Sequence, residues 1–407
     1  AGGEHAQRVA KGAHVRVIFV ISHDGCNVPG RNEGPGILFG GLNYRRPAAH
    51  RREEAALSPT LNRFAATLVE WQRHHGRHDL PWQTRDAYRV WLSEIMLQQT
   101  QVDTVIPYYG RFLARFPDLP SLAAAPVEDV LALWSGLGYY ARARNLHKCA
   151  RAVMAQHGGV FPADPAQLAA LPGIGRSTAA AISAFAYGTR AAILDGNVKR
   201  VLARAFGIEG FPGTRQVEQA MWALAERLLP ERDVDIYTQA QMDLGATVCT
   251  RGRPACGRCP LADSCVALRD GRVAELPTPR PKKVVPERRG RFAAILAGGS
   301  VLLERRPPAG IWGGLQSLPE LPEDADTAEW VARRFGLTVT RVAPLPGLRH
   351  VFTHFALELL PEAVEVAPPT AGAAEPGVAW HPLDRLADAA LPAPIRKLLE
   401  GLVQGRL

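Results

Sequence analysis

Apolar residues recur at the three- and four-residue spacing of amphipathic helices from Ser58 to about Asp270. The first apolar stripe follows Ser58–Pro59, a pair that is typical of the start of a helix. The stripes predict helices over Leu61–Trp71, Val90–Gln101, Leu122–Leu133, Ala141–Ala155, Thr178–Tyr187, Val198–Phe206 and Val217–Leu229. Because the alternation typical of strands is scarce here, we predict a helical domain over residues 58–270.

The pattern changes after residues 271–290, a segment rich in proline, arginine and lysine that is typical of an exposed linker. Beyond this segment apolar residues alternate, and Gly298–Gly299 is a hairpin signal. The alternation predicts strands over Arg291–Leu296, Ser300–Glu304, Val339–Val342, Arg349–Leu359 and Val378–His381, with helices over Ala325–Phe335 and Pro394–Val403. We therefore predict a second domain of mixed α and β type over residues 291–407.

Residues 1–57 are rich in glycine, arginine and histidine and have no sustained periodicity. We interpret them as a flexible extension or as sequence upstream of the true start, with a transit peptide as the weaker alternative. No apolar run in the chain approaches the roughly 20 residues that a membrane-spanning helix needs. Apolar residues nevertheless make up 47% of the chain, enough for each predicted domain to bury a core.

The formal net charge of +9 favours an anionic partner, and nucleic acid is the first candidate. The alternative is a soluble protein that is merely basic. The charge alone does not separate these two interpretations, so the candidate chemistry of the chain has to decide between them.

Four of the six cysteines lie in one short segment with the spacing C-x6-C-x2-C-x5-C. Clustered cysteines in a chain without export signals indicate metal ligands rather than disulfides. The four residues are Cys249, Cys256, Cys259 and Cys265. Their spacing leaves both zinc and an iron–sulfur cluster open. Arg251 and Arg253 lie in the same loop, and we expect them to contact phosphates.

A Gly-x-Gly turn, Gly173 to Gly175, lies between two helical patterns, and Asp195 follows twenty residues after its second glycine. Such a turn exposes backbone N–H groups at a helix N-terminus and forms a site for an anion. The ordinary role of an aspartate at the start of a helix is to cap that helix. Beside a phosphate site, Asp195 is also a candidate to stabilise positive charge during a reaction on nucleic acid.

A second acidic candidate, Glu94, lies in a predicted helix among apolar neighbours. Apolar surroundings raise the pKa of a carboxyl group and suit it to general acid catalysis, although a lone glutamate is more often a surface residue. The polar run after it, Gln98, Gln99, Thr100 and Gln101, is suited to hydrogen bonds with base edges. Two carboxylates with different pKa values suit cleavage of a sugar–base bond, because the base needs a proton and the sugar becomes positive.

Several motifs, in this order, resemble those of the MutY-type adenine DNA glycosylases from about Leu57 to the C-terminus. They are LPWQ (Leu80–Gln83), WLSEIMLQQTQV (Trp91–Val102), GLGYYARARNLHK (Gly136–Lys148), LPGIGRSTA (from Leu171), ILDGNVKRV (Ile193–Val201), the cysteine loop and RPPAGIWGGL (Arg306–Leu315). The resemblance implies a helical helix-hairpin-helix glycosylase core with a 4Fe–4S loop, followed by a Nudix-like α/β domain. The cysteine spacing resembles that of this group of glycosylases and thereby favours a 4Fe–4S cluster over zinc.

The resemblance also implies an activity, the removal of adenine mispaired with 8-oxoguanine or guanine in double-stranded DNA. Glu94 would protonate the flipped adenine at N7 and later help to activate water. Asp195 would stabilise the oxocarbenium ion or its covalent successor, and Asn197 would help to hold this geometry. We expect a bacterial, cytoplasmic, nucleoid-associated monomer.

The same resemblance assigns residues to the DNA interface. Gln99 and Tyr139 would wedge into the duplex where the adenine leaves, which makes base extrusion less costly. The hairpin of Gly173 and Gly175 would bind phosphate through backbone N–H groups. We assign Lys199 a phosphate contact rather than the role of an amine nucleophile.

Ser177 occupies the hairpin position at which endonuclease III-like glycosylases carry a lysine that forms a Schiff base and cleaves the strand. Serine there predicts a glycosylase without lyase activity and argues against a bifunctional pyrimidine-type enzyme. A lesion-binding protein without catalytic activity is a further alternative, but it would lack one of the two carboxylates. Both Glu94 and Asp195 are present.

The last domain resembles the Nudix-like module of the family. Counting from Gly314 places Glu320 in register with the Nudix box, but Ala332 and Arg333 stand where its glutamate pair would bind Mg²⁺. We therefore predict no pyrophosphatase activity, which opposes a Nudix hydrolase with an extra domain. The resemblance instead assigns lesion recognition to the run Phe352, Thr353 and His354, although these could be ordinary alternating strand residues.

Overall fold

The computed structural model describes residues 63–281, 285–307, 310–352, 355–368 and 377–405. The interpretation of residues 1–57 and the helix start predicted at Ser58–Pro59 lie outside the described residues, as do Thr353 and His354. Among the residues that are described, no helix is both long enough and apolar enough to cross a membrane.

The first part of the chain folds into helices joined by short loops. They are α1 (63–75), α2 (Ala87–Leu97), α3 (Val102–Arg115), α4 (Leu119–Ala124), α5 (Val127–Trp134), α6 (Ala141–His157), α7 (Pro165–Ala169), α8 (Arg176–Tyr187), α9 (Gly196–Phe206), α10 (Arg215–Arg227), α11 (Val234–Asp243) and α12 (Val266–Arg269). A turn of π-helix, Leu244–Val248, continues α11. The sequence pattern did not predict α3 or α11.

Two predicted helices have different bounds in the structure. The helix predicted over Leu122–Leu133 is in fact two helices, α4 and α5, because Ala125 and Pro126 between them have extended backbone. Proline disfavours helical backbone in the residue before it, which explains the break. Helix α2 ends at Leu97, so the polar run that follows lies in a turn and not on the predicted helix.

The second part of the chain contains one mixed sheet with two helices. Its elements are β1 (Glu287–Ala297), β2 (Ser300–Arg305), β3 (Gln316–Ser317), β4 (Glu320–Leu321), α13 (Thr327–Phe335), β5 (Val339–Pro344), β6 (Leu348–Val351), β7 (Ala356–Val366), β8 (Val378–Pro382) and α14 (Ala393–Val403). Strands β1 and β7 pair in parallel at the centre, and the other pairs are antiparallel. Strand β1 begins at Glu287, inside the segment interpreted as a linker.

The strand predicted over Arg349–Leu359 is a hairpin, in which β6 and β7 pair and the N–H of Phe352 donates to the carbonyl of Phe355 at 2.8 Å. Phe352 and Phe355 therefore lie in neither strand. The prediction of one continuous strand over Arg349–Leu359 is therefore wrong. The alternative for Thr353 and His354 lies outside the described residues.

Two buried clusters organise the helical part. One contains side chains of α2 to α6, and the other contains side chains of α1 and α8 to α11. The first cluster continues into the second domain through residues such as Trp312, Leu315 and Leu391. Polar contacts reinforce this interface: the Tyr140 hydroxyl donates to the Leu391 carbonyl at 3.0 Å and Arg144 donates to the Gly313 carbonyl at 2.6 Å. The two domains thus share one apolar core.

Candidate active site and DNA interface

A cleft with a volume of about 1720 Å³ runs between the two clusters of the helical part. Most of the residues predicted for catalysis and DNA contact line it. These are Glu94, Gln98, Gln99, Thr100, Ser177, Asp195, Asn197, Lys199 and Arg251. A cleft of this size accommodates a nucleobase that has left the helical stack.

Glu94 projects from α2 into this cleft, while its neighbours Ser93, Ile95 and Met96 are buried. Asp86 is the N-cap of α2, and its side chain accepts a hydrogen bond from the N–H of Arg89. Burial, and to a smaller extent the negative charge of Asp195, raise the pKa of Glu94 to about 8. This is the direction expected for a carboxyl group among apolar neighbours, and it favours the protonated form of Glu94 at neutral pH.

Asp195 is the N-cap of α9, and its Oδ1 accepts a hydrogen bond from the N–H of Val198 at 2.8 Å. The Asn197 side chain donates to Oδ2 of the same carboxylate at 3.3 Å. Burial raises the pKa of Asp195, whereas the N–H donors of Val198 and Asn197 lower it. Asp195 can therefore cap α9 and also stabilise positive charge, because the N–H donors that fix the start of the helix stabilise its ionised carboxylate.

Ser177 lies in the first turn of α8, and its hydroxyl oxygen accepts a hydrogen bond from the N–H of Leu194 at 2.9 Å. The contact fixes the residue directly before Asp195. Ser177 therefore lines the cleft and also orients the segment that delivers the second carboxylate.

Arg200 joins this carboxylate to the cysteine loop. Its guanidinium donates to the Asn197 side chain at 2.8 Å and to the carbonyl of Cys249 at 2.7 Å. A third hydrogen bond reaches the carbonyl of Gly245 at 2.7 Å. Gly245 leaves room for this packing, because a Cβ there would lie 2.5 Å from Cβ of Asn197. The sequence analysis did not single out Arg200, although it lies within the motif ILDGNVKRV.

The Gly-x-Gly turn lies at the start of α8. Gly173 has a φ of +79°, which favours glycine, and a Cβ there would lie 2.8 Å from Cβ of Asn145. Gly175 is the N-cap of α8 and supplies no side-chain acceptor. The first N–H groups of this helix therefore have no side-chain cap at Gly175, which suits a phosphate group.

Gln99 and Tyr139, the two predicted wedge residues, lie in separate turns, one after α2 and one before α6. Both are exposed, Tyr139 to 53%, and both have positive φ, +60° and +50°. This backbone region is unfavourable for residues other than glycine and is typical of positions held by their surroundings. The structure places both side chains at the surface, as a wedge requires.

The predicted phosphate contacts differ in their surroundings. Lys199 pairs with Glu218 at 2.5 Å, so a phosphate would compete with that carboxylate. Arg251 and Arg253 are exposed in the cysteine loop. Gln98 donates weakly to the hydroxyl of Thr178, at 3.4 Å, and Thr100 accepts a hydrogen bond from Arg142.

The four cysteines of the loop line one small apolar cavity, which lies next to Arg204. None of them is in a disulfide. Arg204 donates to Sγ of Cys249 at 3.4 Å and to the carbonyl of Thr250 at 2.7 Å, so a buried positive charge lies beside the thiols. Within the described ranges, no three His, Cys, Asp or Glu side chains are placed to share one metal ion. The donor set and the adjacent cation suit an anionic cluster held by thiolates.

In the second domain, Phe352 stacks on Phe355 with ring centroids 4.6 Å apart and meets His350 edge to face at 4.7 Å. Trp312 packs against both Phe352 and His350. Glu320, the retained Nudix-box glutamate, pairs with Arg306 at 2.8 Å. That carboxylate is already neutralised by a guanidinium, which adds to the prediction of no pyrophosphatase activity.

Models of three families match successive parts of the chain. The model described as HhH-GPD superfamily base excision DNA repair protein matches residues 92–227. The model for the iron-sulfur binding domain of endonuclease III matches residues 249–265, and a NUDIX domain model matches residues 291–401. These matches confirm the predicted fold class and the predicted 4Fe–4S cofactor.

Individual relatives extend the likeness along the chain. The adenine DNA glycosylase of Buchnera aphidicola subsp. Schizaphis graminum (strain Sg) is 35% identical over 344 residues, which cover 84% of this chain and 99% of that protein. The adenine DNA glycosylase of Mus musculus is 33% identical, covering 86% of this chain and 82% of that protein. A solved thermostable thymine-DNA glycosylase is 28% identical with a TM-score of 0.48, covering 53% of this chain and 99% of that chain. The chain belongs to the adenine DNA glycosylase family of base excision repair enzymes.

Proposed function

We propose that this glycosylase acts on adenine mispaired with 8-oxoguanine or guanine, with Glu94 as general acid and Asp195 as the stabiliser of the positive sugar. One observation carries the proposal. A protonated carboxyl group, whose pKa burial raises to about 8, shares a cleft with a carboxylate held by N–H donors. Both groups come from one chain, which fits an enzyme that acts as a monomer.

In this mechanism the flipped adenine enters the cleft and Glu94 donates its proton to N7. The carbon–nitrogen bond then breaks, its electron pair leaves with the base, and the sugar becomes an oxocarbenium ion. Asp195 lies ready to stabilise this ion or to bond with it, and Asn197 keeps the carboxylate in place through its amide. Glu94, now ionised, accepts a proton from the water that attacks the sugar, which restores the starting state.

We propose that the reaction stops at base removal. Strand cleavage by a related glycosylase needs an amine that forms a Schiff base, and Ser177 offers a hydroxyl group instead. That hydroxyl is already engaged with the N–H of Leu194. Lys199, the nearest lysine in sequence, is paired with Glu218 and is assigned a phosphate contact.

We propose that the four loop cysteines, Cys249, Cys256, Cys259 and Cys265, hold the 4Fe–4S cluster. The cluster would fix the loop so that Arg251 and Arg253 meet the phosphates with little loss of conformational freedom. The same loop would bind the DNA on one side of the cleft, and the hairpin of Gly173 and Gly175 would bind it on the other.

Recognition of the base opposite the adenine is assigned to residues 352–354. Phe352 directly follows β6 and packs against the aromatic rings of Phe355 and Trp312. Thr353 would supply the hydroxyl donor or acceptor that reads the lesion, and His354 would accompany it. In this assignment Glu94 and Asp195 determine how the bond breaks, and the hairpin determines which adenine is presented.

The test is single-turnover release of free adenine from duplexes with adenine opposite 8-oxoguanine, guanine or thymine. We expect release from the first two and none from the third, with no borohydride-trapped adduct and no strand cleavage. Asp195→Asn should lose release while it still binds the duplex. Absence of release by a folded protein that retains its iron–sulfur absorbance would refute the proposal.

A further inference from the structure

The side chain of Arg142 lies at the junction of the two turns that carry Gln99 and Tyr139. Arg142 is 9% exposed and lies in the first turn of α6. Both features are unfavourable for a cation, since burial removes its hydration and a helix N-terminus is itself positive. Burial lowers the pKa of Arg142 to about 10. A residue retained in such a place calls for a specific explanation.

The hydrogen bonds of Arg142 supply one. On one side, Nη1 donates to the carbonyls of Ile95, Met96 and Gln98 at 3.0, 2.8 and 2.5 Å, which are the last carbonyls of α2 and its cap. On the same side, Nη2 donates to the Thr100 hydroxyl at 3.1 Å. The carbonyl end of a helix favours a positive charge, so this side compensates for the loss of hydration.

On the other side, Nη2 donates to the carbonyls of Leu137 and Gly138 at 3.1 and 3.2 Å. The backbone N–H of Arg142 donates to the carbonyl of Tyr139 at 2.8 Å, and the guanidinium lies 5.7 Å from the Tyr139 ring centre. One planar group thus fixes the residues on both sides of Gln99 and those that lead into Tyr139. Both of these residues have positive φ and need such support.

We propose that Arg142 is a positioning residue for base extrusion, which holds the two wedge residues at a fixed separation so that both enter the duplex together. The inference rests on the proposed wedge role of Gln99 and Tyr139. Arg142 does not line the cleft that contains the two carboxylates. Its effect is therefore expected on the step that moves adenine out of the stack and not on the cleavage of the bond.

The test compares Arg142→Lys and Arg142→Met with Arg151→Met, an exposed arginine of the same helix, as the matched control. Each variant is assayed in single turnover on two duplexes, one with adenine opposite 8-oxoguanine and one with adenine opposite an abasic site, where no partner base has to be lost. We expect release from the paired duplex to fall about 100-fold in both variants, because small errors in placement have effects of this size. On the unpaired duplex we expect a much smaller loss.

Lysine keeps the charge but not the planar fork, so wild-type activity of Arg142→Lys on the paired duplex would overturn the proposal. An equal loss on both duplexes would also overturn it, because a general structural defect predicts that result. If Arg142→Met does not fold, Arg142→Lys is combined with Gln99→Ala and Tyr139→Ala. We then expect no further loss beyond that of the two alanines, as for residues that act as a unit.

These results separate the inference from the function on which it rests. If the wild-type protein releases no adenine, the proposed function fails. If the wild-type protein releases adenine, and the variants Gln99→Ala and Tyr139→Ala release it at the wild-type rate, the wedge assignment fails. If those two variants are impaired and Arg142→Lys is not, only the positioning role of Arg142 is wrong.

Discussion

Each domain of this glycosylase has a glutamate that the sequence motifs single out, and the two glutamates have opposite surroundings. Glu94 projects into the cleft of the helical domain, where burial and the nearby Asp195 raise its pKa to about 8. Glu320 stands in register with the Nudix box and is paired with Arg306 at 2.8 Å. Burial without a cation keeps a proton on the first group, and a guanidinium engages the second.

This difference indicates that the residue type alone does not determine the chemistry of a glutamate. Its neighbours determine whether the carboxyl group is protonated or engaged in an ion pair. A general acid needs a proton near neutral pH, and for Glu94 burial and the negative charge of Asp195 favour the protonated form. A Mg²⁺ site of the Nudix type needs several ionised carboxylates, and the Nudix-like domain has Ala332 and Arg333 at the two further positions. We therefore expect the chemistry of this protein in the helical domain.

The largest effect is expected from the loss of the carboxyl group of Glu94. Glu94→Gln should lower single-turnover adenine release by roughly 10³-fold or more, within the range for loss of a general acid, because glutamine has no proton to donate at this pH. Duplex binding should remain, since the side chain keeps its shape. Glu320→Gln is the matched control and should release adenine at a rate close to wild type. Equal losses in the two variants would contradict the distinction drawn between the sites.

The pH dependence of release should carry the signature of Glu94. The protonated form is the active acid, so the rate should fall as pH rises through about 8, by up to tenfold for each further unit. At low pH the rate should fall again as Asp195 takes up a proton, since its ionised form is the active one. Single-turnover rates across this range check the prediction with duplex stability controlled separately. A rate that stays level well above pH 8 would exclude Glu94 as the acid.

Much of this site could be predicted from the sequence because its residues lie in short motifs. The apolar surround of Glu94, the capping position of Asp195 and the spacing of the cysteines are all local patterns. The structure that each of these patterns predicts depends little on distant parts of the chain. The sequence analysis predicted one helix where α4 and α5 lie, but Pro126 is a local signal from which the break between them could have been predicted.

The residues that connect these motifs could not be predicted in the same way. Arg142 and Arg200 resemble exposed arginines of basic helices, yet each joins backbone carbonyls from segments distant in sequence. One signal was available for Arg142: it shares a helix face with Leu146 and Cys149, which are buried. The strands β3 and β4 have two residues each and are too short for any periodic pattern.

The smallest predicted effect concerns stability, and here the two glutamates should differ in sign. Folding raises the pKa of Glu94 from 4.5 to about 8, so the folded protein favours the protonated form. Below pH 4.5 the group is protonated in both the folded and the unfolded state and does not destabilise the fold. As the pH rises from 4.5 towards 8, the unfolded state ionises more readily than the folded one, and the free energy of unfolding falls. Glu94→Gln should therefore melt at a higher temperature than wild type at pH 9 and at nearly the same temperature at pH 4.5. Each kcal/mol corresponds to roughly 2–4 °C for a domain of this size.

Glu320→Gln should do the reverse, because it leaves the Arg306 guanidinium, whose side chain is 15% exposed, without its carboxylate. The loss should be about 1 kcal/mol or less, since the glutamate itself is 42% exposed and solvent weakens the pair. Melting curves of the two variants at pH 9, followed by far-ultraviolet circular dichroism, measure both shifts against wild type. If both variants melt at a lower temperature than wild type, the ionised form of Glu94 does not destabilise the fold. The raised pKa on which its role as an acid depends is then wrong.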